Sequence, residues 1–136
     1  MTDQEFGLKD HKHNLIFNAI HEGFWGFGIA FHSTYAVVPL FLKLLDAPPI
    51  IIGSAAGVFT ACAAIPQIAM AFIGQRIQNI KKGIVLAHSV MIPPMLLAGF
   101  IFGILAPTGP NVWAIYFGCF VLFSLGVGVV LSLIHI

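Results

Sequence analysis

The chain has 136 residues, of which 59% are hydrophobic and only 8% are charged. Soluble globular domains average about 25% charged residues, so a water-soluble fold of this length could not cover its surface. The six basic and five acidic residues all lie between Asp3 and Lys82, and Gly83–Ile136 has none. This distribution is typical of a membrane domain, whose solvent is lipid. The net charge of +1 gives no basic surface for nucleic acid.

Four apolar stretches follow one another along the chain. A polar tail, residues 1–13, precedes a first stretch over residues 15–42, which is longer than a hydrocarbon core of about 30 Å requires. Further stretches cover residues 50–73, 83–105 and 112–130. At about 1.5 Å per residue each can cross a bilayer as a helix. The sequence therefore predicts an all-α membrane protein with four transmembrane helices.

The basic residues predict the orientation of these helices. The tail and the loop after the second stretch lie on one side of the membrane, and Lys43 is the only basic residue on the other side. The residues of the first side are Lys9, Lys12, Arg76, Lys81 and Lys82. Since positive charge favours the cytoplasm, we expect a cytoplasmic N-terminus. All the loops are short, so successive helices are expected to be antiparallel neighbours.

Small residues and prolines mark expected packing features. Gly53 and Gly57 form a small-xxx-small pair on one face of the second stretch. Such faces let helix backbones approach closely in lipid, although glycine and alanine are also common in membrane spans generally. Pro93 and Pro94 lie near the middle of the third stretch, where they predict a kink.

Ionisable residues in the first stretch are candidates for function. Glu22 follows directly after His21. His32 lies eleven residues after His21, about three helical turns along the same face. A charged side chain inside the hydrocarbon core costs free energy, so such residues are candidates for a functional role. A carboxylate with a neighbouring histidine could exchange a coupling proton. The alternative is that His21 and Glu22 lie among the headgroups and extend to water.

Two further polar residues lie within spans. Gln67 follows Pro66 in the second stretch, where its amide could satisfy the carbonyl that the proline leaves unpaired, or could contact a solute. His88 in the third stretch could ligate a b-type haem together with His21 or His32. A lone histidine in a span more often hydrogen-bonds to a neighbouring helix.

Patterns of enzymes and metal sites are absent from the sequence. The run from Gly126 to Gly128 follows no strand and lacks the other residues of a phosphate loop, and no hydrolase or kinase pattern occurs. Cys62 and Cys119 lie in separate apolar runs without other soft ligands, so neither a zinc site nor a disulfide is expected. We therefore predict a protein that is not an enzyme.

The loop over Gly74–Gly83 resembles the motif G-x-x-x-D-[RK]-x-G-[RK]-[RK] of major facilitator superfamily transporters, which follows the second span of that family. Gly74 and Lys82 match, and Arg76 adds to the basic character. The departures include Gln78 at the acidic position, Asn79 at a basic position and Lys81 at the glycine position. The role that the family's Asp has in a charge relay is therefore not carried over.

A second similarity lies in the fourth stretch, where many members of this family have R-x-x-x-G-x-G. Gly126 and Gly128 match, whereas Leu122 replaces the arginine, so a proton-coupling role of that arginine is not carried over. Three fragments resemble a branch of bacterial members: Phe24–Phe27, Val38–Phe41 and Ile65–Gln67. These fragments lead us to expect a multi-pass protein of a bacterial inner membrane.

The resemblance covers about residues 14–130 and implies a protein of twelve spans in two halves, of which this chain holds the first four. A small-molecule substrate, with or without a coupling proton, would bind between the halves and cross by alternating access. The first and fourth spans would line the cavity, and the basic loop would help to hold the cytoplasmic gate. Glycines of the second and fourth spans would permit close packing. No cofactor is implied.

The last six residues, 131–136, match the translation of the mosaic-end DNA used in transposase-based sequencing libraries. We expect them to be an artefact, with the natural protein and its remaining helices continuing beyond Val130. The alternative is that they simply end the fourth helix.

Two other functions are compatible with the sequence. A haem-binding redox subunit would show a Soret band after purification, and a colourless protein would count against it. A small four-helix scaffold protein requires residues 131–136 to be native, so recovery of a longer reading frame would exclude it.

Overall fold

The computed structural model describes residues 3–73 and 79–134, and every element in these ranges is helical. The chain falls into two compact units, Met1–Ser33 and Thr34–Ile136. The first unit contains one helix, and the second contains the others. In chain order the elements are α1 (Asp3–Phe31), α2 (Val37–Leu44), α3 (Pro49–Ile73), α4 (Ile80–Phe100), a π-helical turn (Ile101–Leu105) and α5 (Val112–Ile134).

Three helices in the described part of the chain are long and apolar enough to cross a membrane. They are α3, the continuous helix from Lys82 through the π turn to Leu105, and α5. They lie where the sequence predicts the second, third and fourth spans. This set of helices is typical of a multi-pass integral membrane protein.

The first apolar stretch differs from its prediction as a single span over residues 15–42. The helix α1 already begins at Asp3, inside the predicted tail, and it ends at Phe31. Residues 32–36 then form turns before α2 begins at Val37. The polar residues of α1 also make it less apolar than the three candidate spans. Among the described residues, three helices are therefore of span type, and the first of the four predicted spans is not one of them.

Pro39 disfavours a regular helix through Tyr35 but is compatible with a helix that starts at Val37. A proline inside a helix has no N–H to donate and its ring clashes with the carbonyl four residues earlier, here that of Tyr35. In the structure Pro39 lies in the first turn of α2, where backbone N–H groups have no partner within the helix anyway. Leu40 makes the first regular bond, with its N–H donating to the carbonyl of Ala36 at 3.1 Å.

A cap with one residue in the left-handed conformation ends α2 and leads into α3. The Asp46 N–H donates to the carbonyl of Lys43 at 3.1 Å, and the Ala47 N–H donates to that of Leu42 at 3.0 Å. This is the Schellman pattern, whose left-handed position usually holds glycine. Here Asp46 occupies it with φ of 55°. Leu42 and Ala47 are both buried, which supplies the apolar contact that accompanies this cap.

The helix α5 lies between α3 and α4 and is the main partner of both. Phe59 of α3 packs near Phe120 with ring centroids 6.4 Å apart, and Ala63 contacts Gly128, so α3 and α5 run parallel. The helix α4 runs antiparallel to α5. Met91, in the middle of α4, contacts Gly126 in the second half of α5, whereas Phe102, after the end of α4, packs on Tyr116 near the start of α5. Successive helices α4 and α5 are antiparallel neighbours as predicted, whereas the main partner of α3 is the parallel α5.

The buried core of the second unit gathers where α2, α3 and α5 meet. Phe120 is fully buried and belongs to a cluster with Val38, Leu42, Ala47 and Ala55. Further along α5, the buried residues recur on one side of the helix: Val127, Val130 and Leu133. Leu133 belongs to the six residues predicted to be an artefact, and α5 continues through Ile134. The origin of these residues stays a prediction.

Two features shape α4. Pro93 and Pro94 lie inside the helix, so the carbonyls of Ser89 and Val90 receive no bond from these positions. The helix ends in the π turn, which the Ala106 N–H closes by donating to the carbonyl of Ile101 at 3.0 Å. Ala106 itself has φ of 42°. The wider turn directs the residues of this end towards α2 and α5.

Candidate functional site

The polar side chains of α1 form a stripe along one side of the helix. Asn14 and Asn18 are one turn apart, and His21 and Glu22 follow one turn later. The Nδ1 atom of His21 lies 3.5 Å from the Glu22 carboxylate, and both side chains are about half exposed. This pair places one proton-accepting ring next to one carboxylate, which is the simplest arrangement for sharing a proton.

His32 lies outside the helix that carries His21 and Glu22. It is the first residue after α1, and its backbone N–H donates to the carbonyl of Ile29 at 2.9 Å. The helical face predicted to be shared by His21 and His32 therefore does not extend to His32. Instead His32 begins a polar turn that continues with Ser33, Thr34 and Tyr35.

Gln67 lies on the side of α3 that points away from the core. Its side chain is exposed, as are those of its neighbours Ala64 and Ile68. Among the described residues its amide makes no hydrogen bond, so it does not satisfy the carbonyl that Pro66 leaves unpaired. Gln67 is thus presented on the surface of the helix rather than used within it.

The predicted basic loop falls largely outside the described residues. Gly74 and Arg76 lie there, as does the side chain of Lys81, whereas Asn79, Lys82 and Gly83 are described. Asn79 caps α4, with its Oδ1 accepting a hydrogen bond from the Lys82 N–H at 3.0 Å. This capping role explains why Asn79 stands at a position where the transporter motif described above has a basic residue.

His88 makes a hydrogen bond within its own helix. Its Nδ1 lies 2.9 Å from the carbonyl oxygen of Ile84, one turn earlier in α4. A histidine in an apolar helix can meet part of its polar requirement in this way. In the ranges that the structure describes, no group of three or more His, Cys, Asp or Glu residues could hold a metal ion.

The four glycines predicted to pack helices fall into two groups. A Cβ atom added at Gly126 would lie 2.8 Å from the Cβ of Met91, and one at Gly128 would collide with the backbone carbonyl of Ala63. These two glycines therefore let α5 approach α4 and α3 closely. A Cβ at Gly53 or Gly57 would meet nothing within 4 Å among the described residues. Close packing at these two positions stays a prediction.

Sequence reasoning missed an aromatic cluster at the end of the second unit where α3 and α5 begin. Phe41 of α2 packs on Tyr116 of α5 with centroids 4.6 Å apart, and on Phe102 of the π turn at 5.4 Å. Phe102 and Tyr116 are 6.0 Å apart, which closes the triangle. No local sequence pattern could reveal this cluster, because its three members are distant from one another in sequence.

The chain was compared with models of protein families, with curated proteins and with solved structures, and none of them matches. The features that remain for a functional argument are the His21–Glu22 pair, the polar turn after α1 and the exposed Gln67.

Proposed function

We propose that this chain belongs to a secondary transporter of the major facilitator type, which moves a small solute across the membrane by alternating access. In this proposal the complete protein has twelve spans, of which the chain supplies the first four, and α1 with α2 forms the first span. The protein lies in the inner membrane of a bacterium with its N-terminus in the cytoplasm. The basic residues near the start of α4 support that orientation.

The observation that carries the proposal is the interruption of the first apolar stretch at residues 32–36. If this stretch crosses the bilayer, non-helical backbone lies at membrane depth. Such backbone is tolerated only where protein shields it or where it borders a water-filled cavity. Substrate sites of secondary transporters are typically built from discontinuous helices of this kind.

The side chains at the interruption fit a solute pathway. His32, Ser33, Thr34 and Tyr35 follow one another and offer hydrogen-bond donors and acceptors. Three turns earlier in α1, the His21–Glu22 pair supplies a group that can take up and release a proton. We assign proton coupling to Glu22 with His21, and solute contact to His32 and Gln67.

The close contacts of α5 support the mechanical part of the proposal. Gly126 and Gly128 bring α5 against α4 and α3 without intervening side chains. Helices held by such contacts can move together as one body when one half of a transporter rocks against the other.

The proposal is tested in liposomes that contain the complete protein and a pH-sensitive dye inside. Small solutes are added from outside, and proton entry and solute uptake are both measured. We expect at least one solute to drive proton entry with the wild-type protein. The Glu22→Gln variant should lower this signal to background, because the amide cannot release a proton.

Asp46→Asn is the matched control, since it neutralises the carboxylate of the loop before α3 and should leave proton entry unchanged. Solute-driven proton entry that persists in Glu22→Gln would refute the role of Glu22. A wild-type protein with neither solute uptake nor proton entry would refute the transport proposal itself.

A further inference from the structure

An open groove runs along the first turns of α4. Its lining residues are Asn79, Lys82, Val85, Leu86 and Ser89. Its volume is about 460 Å³, and because all five lining residues belong to α4 or its N-cap, the groove is open along its length. From Lys82 to Ser89 the groove follows the helix for about 10 Å. It therefore starts at the end of a candidate span and extends towards its middle.

The two ends of the groove differ in chemistry. Lys82 and Asn79 are exposed at the start of α4, where Asn79 already caps the helix. Deeper along the helix, Val85 and Leu86 are 60% and 66% exposed. The hydroxyl of Ser89 donates to the carbonyl of Val85 at 2.9 Å, so its polar requirement is met within the helix. A positive end thus continues into an apolar channel.

The electrostatics of the positive end favour an anion. The N-terminus of a helix carries partial positive charge, which attracts anions and disfavours a cation such as Lys82 in the first turn. An anionic group placed there would offset both the partial positive charge of the helix N-terminus and the charge of Lys82. Lys82 is the first residue of a candidate span, so if this helix crosses a bilayer, the groove starts where lipid headgroups meet hydrocarbon.

We propose that this groove is a binding site for an anionic phospholipid. The phosphate group would lie at Lys82 and Asn79, and an acyl chain would follow Val85 and Leu86 towards Ser89. Charge complementarity selects the anionic headgroup, and the apolar channel selects a lipid over free phosphate. Basic pockets beside transmembrane helices bind anionic headgroups on the same physical grounds. The proposal requires α4 to cross a membrane, but it does not rest on the transport function.

The test measures binding of phosphatidylglycerol to the full chain in detergent by native mass spectrometry. We expect one retained lipid per chain and weaker binding of phosphatidylcholine. Lys82→Gln should weaken phosphatidylglycerol binding about fivefold, since one lysine near a membrane surface contributes about that factor. Lys82→Arg should keep the affinity because it keeps the charge.

Two matched controls separate a site from general effects. Lys43→Gln removes a lysine from the last turn of α2 and should not change the affinity. Leu86→Gln should weaken binding several-fold, whereas Leu96→Gln, equally exposed on α4 at 67%, should not. Circular dichroism of each variant confirms that its helices are retained.

Three results would overturn the proposal. Equal loss of affinity in Lys82→Gln and Lys43→Gln would mean that only the overall charge matters. Equal loss in Leu86→Gln and Leu96→Gln would mean that no acyl chain lies in the groove. Displacement of phosphatidylglycerol by excess inorganic phosphate would identify a phosphate site in place of a lipid site.

Discussion

The helices α1 and α5 are both glycine-containing and rich in Phe, yet their surroundings differ. In α1 every described side chain from His11 to Phe31 is exposed except that of Trp25, which is intermediate. In α5 the described positions from Cys119 to Leu133 are buried or partly buried except Leu122, which is exposed, and Phe120 and Ser124 are fully buried. The Ser124 hydroxyl meets its polar requirement within the helix, since it donates to the carbonyl of Phe120 at 2.6 Å.

The glycines of the two helices have different surroundings. A Cβ added at Gly23, Gly26 or Gly28 of α1 would meet nothing within 4 Å among the described residues. The same addition at Gly126 or Gly128 of α5 would meet a neighbouring helix at once. Glycine content therefore does not by itself indicate close packing. What matters is whether the glycine lies on the face that a partner helix occupies.

The largest effect is expected at the centre of the α5 interface. Phe120→Ala removes a fully buried ring and leaves a cavity, so we expect a loss of about 3 kcal/mol in the free energy of unfolding. Equilibrium unfolding in mixed micelles with increasing SDS measures it. Leu122→Ala on the exposed side of α5 is the control and should change stability by less than about 0.5 kcal/mol. Equal effects of the two variants would remove the distinction between the faces of α5.

A smaller effect is expected where α5 touches the backbone of α3. Gly128→Ala inserts a methyl group against the carbonyl of Ala63, and because backbone atoms cannot move aside cheaply we expect a loss of about 2 kcal/mol. The same unfolding measurement applies. Gly57→Ala adds its methyl group in open space on α3, so it serves as the matched control and should not destabilise. Tolerance of Gly128→Ala would mean that α3 and α5 are not in close contact.

The smallest effect is expected in α1 and has the opposite sign. Gly26→Ala should stabilise α1 by about 0.5–1 kcal/mol, because alanine loses less backbone entropy in a helix and meets no neighbour here. Slower hydrogen exchange of the α1 amides in the full chain would report it. A destabilising Gly26→Ala would indicate that α1, like α5, uses its glycines against a close partner.

Composition and hydropathy were sufficient to predict the helical class and the positions of the three apolar helices. A run of apolar residues bounded by Pro49 or Asn79 has no alternative to a helix in lipid, since its backbone groups must bond to each other. The break after Phe31 was not predicted. Pro39 was the one local indication of it, because a proline cannot donate a hydrogen bond to the carbonyl four residues earlier, that of Tyr35. Hydropathy averages over a window and does not respond to a single missing N–H group.

The contacts of the candidate site that join residues distant in sequence could not be predicted. The His21–Glu22 contact could be anticipated because the residues are adjacent in sequence. The aromatic cluster of Phe41, Phe102 and Tyr116 could not, since it depends on a π turn and on which helices become neighbours. The parallel pairing of α3 with α5 is likewise set by tertiary packing, which short loops do not determine.

The position of α5 between α3 and α4 has a consequence for biosynthesis. The chain leaves the ribosome from its N-terminus, so α3 and α4 are complete before α5 exists. The surfaces of α3 and α4 that contact α5, including Ala63 and Met91, therefore have no partner helix until α5 has been synthesised. We therefore expect the packing of α5 against these two helices to be the last step in the assembly of this part of the protein.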